Sequence, residues 1–381
     1  MKIFMTWIKK STFIIGVLSF GIFTLAWASK NNHSDFPVAL LFLATSLALI
    51  ALIIQFSALR TLFTPIISLF FALTLAELIL FTYLDVSLTH YDPTSSYSNE
   101  YSKNVEGYGS RLIPGIHDSR KLMKNGEVMY EVIYSIGNDG YRQEHAPAPF
   151  DAYLFGGSFV FGEGLNDNET ISAFLFNEHG KNIKNVGIHG YGLHQALYSI
   201  KNGITSINGV NILLTAPWHA PRSSCKPSWV TGTFRYYVNS KNLVILNGFC
   251  PGGYLFNRIL SKSNIYILLK RAGFFNKNKI TDQDIDLYLA IINTIYQETQ
   301  KNNSSLIVAY IDATEDEMTD TSWTNEALIE RIKELSDTFI DVTLADKTEQ
   351  LSLDFFIHDL DRHPSAMANQ ARAALLSNIL K

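Results

Sequence analysis

A parallel α/β domain with helices on both faces of its sheet, preceded by an apolar membrane region, is the architecture this sequence predicts. Two observations carry it. From residue 151 onward short apolar runs alternate with segments of helical period, the pattern left by βαβ units. Between Ser11 and Leu84 charge is almost absent, with Lys30, Asp35, Arg60 and Glu77 the exceptions. A chain of 381 residues has room for both parts and for a substantial core.

The apolar region divides into segments 12–28, 37–59 and 61–84, each close to the roughly 20 residues that cross a bilayer as a helix. Lys9 and Lys10 precede the first, and Arg60 separates the second from the third. The positive-inside bias then puts the N-terminus in the cytoplasm and everything after residue 84 outside. A second reading makes the first segment a cleaved signal peptide, because Ala26-Trp27-Ala28 has the small residues of a cleavage site. Glu77 is either a functional intramembrane carboxyl or a group facing a neighbouring helix or interfacial water.

Three parts are expected: residues 1–88 as an anchor of three transmembrane helices, 89–150 as a connector with a small β element, and 151–381 as an extracytoplasmic domain, periplasmic or extracellular. In the connector, Lys124-Asn125-Gly126-Glu127 is a turn signal, and Val128, Tyr130, Val132, Tyr134 and Ile136 then alternate with period two. Asn138-Asp139-Gly140 closes this element, which reads as a platform between membrane and main domain.

In the main domain strands are predicted at 152–155, 185–188, 210–214, 306–311 and 339–342. Helices are predicted at 170–178, 193–201, 255–271, 282–300, 325–336 and 365–380. Ligands of such sheets bind at the carboxyl ends of the strands. At the end of the first strand Gly156-Gly157 allows a sharp turn and sets Ser158 at the mouth of a helix. Past the second lies Asn185-Val-Gly-Ile-His189-Gly190-Tyr-Gly192-Leu-His194-Gln195, a glycine-rich turn whose amides can approach a ligand closely. Past the third lies Ala216-Pro-Trp-His219-Ala-Pro-Arg222. Asp361-Arg-His363-Pro-Ser365 precedes the last helix and leaves His363 on a loop edge.

These blocks carry a resemblance. Gly156-Gly-Ser158-Phe-Val-Phe-Gly-Glu-Gly164 resembles the first block of the SGNH (GDSL-type) hydrolases, residues 185–192 the second, and Asp361-Arg-His363-Pro the last. The resemblance spans roughly residues 151–381 and implies a flavodoxin-like three-layer α/β/α domain. It makes Ser158 the nucleophile, His363 the general base and Asp361 the group that orients it, with the amides of Ser158 and Gly190 as oxyanion donors and no metal or organic cofactor. A serine hydroxyl needs such a base, and the base a fixed tautomer, before it attacks an ester.

The departures from the family pattern are specific. Gly157 stands where the named motif has an aspartate, and Asp361 lies two residues before the histidine rather than three, which leaves Asp359 as a fallback. In the third block Trp218-His219 replaces the family's oxyanion asparagine, so either His219 donates that hydrogen bond or Arg222 binds an anionic group. His189 and His194 read as helix-entry or structural residues. Val160 breaks the Gly-x-Ser-x-Gly elbow, which excludes an α/β-hydrolase.

Segments 233–238 and 243–246 around Asn239-Ser-Lys-Asn242 read as a hairpin flap flanked by Cys225 and Cys250. The cysteines are either a disulfide pinning the flap or two free thiols; their spacing fits no zinc site. A formal charge of −4 gives no basic surface for nucleic acid. The expected function is a membrane-anchored serine hydrolase that cleaves or transfers an O-acyl ester on a cell-envelope glycan or lipid. The alternatives are a non-catalytic glycan- or lipid-binding module of the same fold, and an acyltransferase supplied by a membrane acyl-donor partner.

Overall fold

The computed structural model describes residues 47, 60–80, 101–122, 127–251, 263–271, 279–312, 318–344, 354–358 and 361–380. The chain divides into two compact units, Met1–Asp92 with Gly253–Asn276, and Pro93–Gly252 with Lys277–Lys381. Residues 93–150 of the expected connector group with the α/β domain in the second unit. The segments 12–28 and 37–59 lie outside the described residues, apart from Leu47.

In the first unit a helix runs over Arg60–Ile79, with Pro65 in its first turns, and a second over Asn264–Arg271. Among the described residues no helix is long and apolar enough to cross a membrane. Glu77 is buried and accepts hydrogen bonds from the Ser263 hydroxyl and, at 3.3 Å, the Ile265 amide. It thus faces a neighbouring helix, the second of the two roles considered for it.

The second unit opens with two hairpins. Strands β1 (Ser102–Val105) and β2 (Gly109–Leu112) pair antiparallel, as do β3 (Gly115–Leu122) and β4 (Val128–Ile136). Along β4, Tyr130, Val132, Tyr134 and Ile136 are buried, as their alternation requires of a strand with one face in the core. The turn signal itself falls mostly outside the described residues. The chain then alternates: β5 (Ala152–Phe155), α1 (Ser158–Phe161), α2 (Ile171–His179), β6 (Ile183–Asn185), α3 (Leu193–Lys201), β7 (Val210–Thr215) and α4 (His219–Ser223). The flap hairpin follows as β8 (Phe234–Val238) and β9 (Val244–Phe249), and then α5 (Asp282–Lys301), β10 (Ser305–Tyr310), α6 (Asn325–Lys333) and β11 (Thr338–Asp341). The short antiparallel pair β12 (Phe356–His358) and β13 (Asp361–Pro364) leads into α7 (Ala366–Ser377).

Strands β11-β10-β7-β5-β6 form one five-stranded sheet with every neighbour parallel. Strand β7 shows why it is built this way: Ile212 and Leu214 join the layer of α2 and α7, while Leu213 joins the layer of α3, α5 and α6. A strand covered on both faces needs an unbroken apolar run. Helix starts are fixed by side-chain caps, Thr170 on Ala173, Thr324 on Ala327 and Ser365 on Ala368. In chain order the strand sequence across the sheet is 2-1-3-4-5, so the winding reverses between β5 and β7 and opens a crevice at their carboxyl ends.

Candidate active site

Ser158 heads α1 at the end of β5, on one side of that crevice, and is 6% exposed. His363 and Asp361 arrive from the other end of the chain on β13. His363 is therefore on a short strand rather than the expected loop edge, and this explains the two-residue spacing. In extended backbone residues i and i+2 project to the same side, which a spacing of three would not achieve. His363 Nε2 lies 2.9 Å from Ser158 Oγ, and Nδ1 lies 2.5 Å from Asp361 Oδ1. Since an ionised carboxylate only accepts, Nδ1 carries the proton and Nε2 is left to accept from the Ser158 hydroxyl. Asp361 Oδ1 also takes the His363 backbone N–H at 3.2 Å. Asp359 lies outside the described residues.

The carboxylate's second oxygen is also held. Lys121 Nζ, from β3, lies 2.6 Å from Asp361 Oδ2, and both groups are buried. Burial alone would raise the Asp361 carboxyl, but the hydrogen bonds from His363 and Lys121 carry it far below the usual carboxylate range. For His363 burial opposes protonation, yet Glu163, followed by Asp361, raises its pKa above the ordinary value. Glu163 Oε2 stands 3.4 Å from His363 Nε2. It sits between Gly162 and Gly164, both at φ +79, and a Cβ on Gly164 would lie 2.4 Å from Ile357 Cδ1. That turn aims the acid back at the histidine.

An open cavity of about 400 Å³ fronts these groups, lined by Ser158, His363, Glu163, Arg222, Gly190 and Trp229, with Ser110, His189, Tyr191 and Gln195 completing the wall. Gly190 has φ +76, a conformation that a side chain would strain, and reaches the cavity as expected. His219 is not among the lining residues. Its ring is buried, with Nδ1 3.1 Å from Thr215 Oγ1, which in turn meets Tyr288 OH at 3.0 Å. Burial, then the charge of Arg222, then His194 hold its pKa well below the ordinary value, so it is a neutral ring packed behind Gly157.

Arg222 takes the wall position instead. Its Nη1 donates to Tyr191 O at 3.0 Å and lies 3.2 Å from where a Gly157 Cβ would stand. A Cβ at 157 would press on this guanidinium and, at 3.1 Å, on Tyr191 O, so glycine at 157 leaves Arg222 its place on the wall. Burial lowers the Arg222 pKa to about 10, with Glu163 working the other way, and it stays charged at neutral pH. His194 is fully buried against Thr233 and is structural, whereas His189 lines the cavity with Nε2 2.9 Å from Ser110 Oγ. Sequence reasoning assigned no role to Lys121, Glu163 or Ser110. Glu163 had a visible signal, a charged residue between two glycines of the serine's own block.

The fold and site together define an α/β domain with a Ser-His-Asp relay at the crevice of its parallel sheet. No family model matches the chain, and no curated protein does. Solved structures similar to it include the following two. One is a protein of Desulfitobacterium hafniense DCB-2 described as lipolytic, of the G-D-S-L family: 11% identity, 60% of this chain and 99% of that chain covered, TM-score 0.33. The other is a carbohydrate esterase family 2 enzyme with a carbohydrate binding domain from Corynascus thermopiles (Myceliophthora fergusii): 12% identity, 64% of this chain and 69% of that one, TM-score 0.32. Scores of this size carry no weight for the chemistry, which rests on the distances above.

Proposed function

We propose that the chain is a serine ester hydrolase of SGNH type. The observation that carries this reading is the unbroken relay Ser158 Oγ, His363 Nε2, His363 Nδ1, Asp361 Oδ1, at 2.9 and 2.5 Å, opening on a cavity. In this reading His363 takes the Ser158 proton as Oγ bonds to the ester carbonyl carbon. The oxyanion then sits against the amides of Ser158 and Gly190, with the charged Arg222 nearby in place of the family's asparagine. Removing one such donor typically costs ~10²–10³ in rate. His363 returns the proton to the departing alcohol, and water or a second alcohol takes the acyl group from Ser158.

The cavity wall favours a glycan as the alcohol part of the ester. Ser110, Glu163 and Arg222 offer hydrogen bonds, and Trp229 at 56% exposure offers an aromatic face. The apolar sequence segments 12–28 and 37–59 support anchoring in the plasma membrane with this domain outside. The Cys225–Cys250 disulfide agrees with an oxidising compartment. A fluorophosphonate probe tests the central claim. Ser158 is expected to be labelled in the folded protein, and Ser158→Ala to abolish it. A folded wild-type chain that takes no label leaves the non-catalytic binding module as the surviving reading. Label with no ester cleavage until an acyl-donor membrane protein is added would favour transfer.

A further inference from the structure

We propose that Lys121 is a positioning residue for the relay, reaching Ser158 only through Asp361 and His363; this rests on the hydrolase reading above. The carboxylate of Asp361 is held at both oxygens. Oδ1 takes the imidazole and backbone N–H groups of His363, while Oδ2 takes Lys121 Nζ at 2.6 Å. A hold at both ends fixes the plane of the carboxylate, and that plane fixes the ring that must face Ser158.

The second hold does not come from Asp361's own surroundings in the chain. It comes from β3, 240 residues earlier, where Ser119 and Lys121 are the buried, inward-facing positions. Burying an ammonium costs several kcal/mol before its partner repays any of it, and an apolar side chain of similar volume fills such space at no such cost. Stability is therefore a weak reason for a lysine here. Orientation and charge are better ones. The groups facing His363 are Asp361, Glu163, Lys121 and, across the cavity, His189 and the guanidinium of Arg222. Two carboxylates favour the imidazolium, and Lys121, bonded to one of them, is a cation that opposes them. Without it His363 would hold its proton to higher pH and be less available as a base.

The test uses the full chain and the rate of fluorophosphonate labelling at Ser158 across pH. Lys121→Met is expected to lower the plateau rate about 10- to 100-fold, the scale of a displaced reacting group. It should also move the acid limb of the profile to higher pH. Lys121→Arg, which keeps the charge, is expected to hold the limb at its wild-type position. A folded Lys121→Met chain whose limb does not move overturns the proposal, whatever its rate, because a merely structural lysine would leave the limb in place.

If Lys121→Met does not fold, the double variant Asp361→Asn/Lys121→Met decides, since it buries no unpaired charge. It is expected to label like Asp361→Asn alone, and a further loss of more than about threefold would show Lys121 acting by some other route. A wild-type chain that takes no label at all refutes the hydrolase reading itself, which is a different result from any of these.

Discussion

Two oxygens converge on Nε2 of His363: the Ser158 hydroxyl at 2.9 Å, which donates to the neutral ring, and the Glu163 carboxylate at 3.4 Å, which can accept only from the protonated one. Only the neutral ring can take the serine proton, so activity should rise with pH through the pKa of His363. Burial lowers that pKa, but Glu163 and Asp361 outweigh it. The acid limb of the labelling profile is accordingly expected above pH ~6.5, the ordinary histidine value. Glu163→Gln removes a carboxylate that favours the imidazolium, so its limb should move to lower pH, opposite in sign to Lys121→Met. A limb that moves upward in Glu163→Gln would sink this account. Ser158, Asp361 and His363 were legible because each lies in a short local block with glycine or proline as punctuation. Lys121 was not, because a pairing across 240 residues leaves no periodic trace, and its strand, Gly115–Leu122, has too few apolar residues to announce itself.

Elements were legible where burial imposes a period. Strands β5, β7 and β10 are apolar runs covered on both faces, and α3 and α5 carry clear stripes. Strand β6 is at 183–185 instead of 185–188, since its residues Ile183-Lys184-Asn185 include a buried lysine paired with Asp139 and Glu144. The chain still runs on beside β5, with Val186 N bonded to Leu154 O and Ile188 N to Gly156 O. Gly187 sits inside that run, where a Cβ would come within 2.4 Å of the Phe161 amide and 2.6 Å of Val160. Those atoms belong to α1 itself, so Gly187→Ala is expected to lower both the melting temperature and Ser158 labelling, whereas normal values for both would mean the turn yields freely. The flap makes a second element-scale case. Cys225 and Cys250 are bonded across 25 residues and enclose Trp229 on the cavity wall. Replacing both by serine should cost about 3.5 kcal/mol by loop-closure entropy, read from thermal unfolding. With Trp229 less constrained, KM for an ester substrate should rise more than kcat falls.

The whole molecule turns on what the connector, residues 89–150, is for. Composition alone made them a connector, a polar stretch with one alternating strand. In the folded unit they supply Ser110 to the cavity and Lys121 to Asp361, and Tyr134 receives the Gly164 amide at 2.9 Å beside Glu163. Their side chains are also core. Tyr101, Leu112, Met129, Tyr130, Val132, Tyr134, Ile136 and Tyr141 belong to the larger hydrophobic cluster together with Phe155 and Phe161. Tyr134 packs edge-on against Phe161, centroids 5.0 Å apart, and Phe161 ends the helix that Ser158 begins. Without these eight side chains, Phe155 and Phe161 would lose much of the apolar surface that covers them. Two truncations separate a connector from an integral part. In both, 253–276, which groups with the N-terminal unit, is replaced by a Gly-Ser linker. The chain 93–381 is expected to unfold cooperatively and take the fluorophosphonate at Ser158. The chain 151–381 retains the sheet, Ser158, Asp361 and His363, yet is expected to show no cooperative transition and no label. If 151–381 folds and labels as well as 93–381, the hairpins are a platform after all, and the relay works without the lysine they carry.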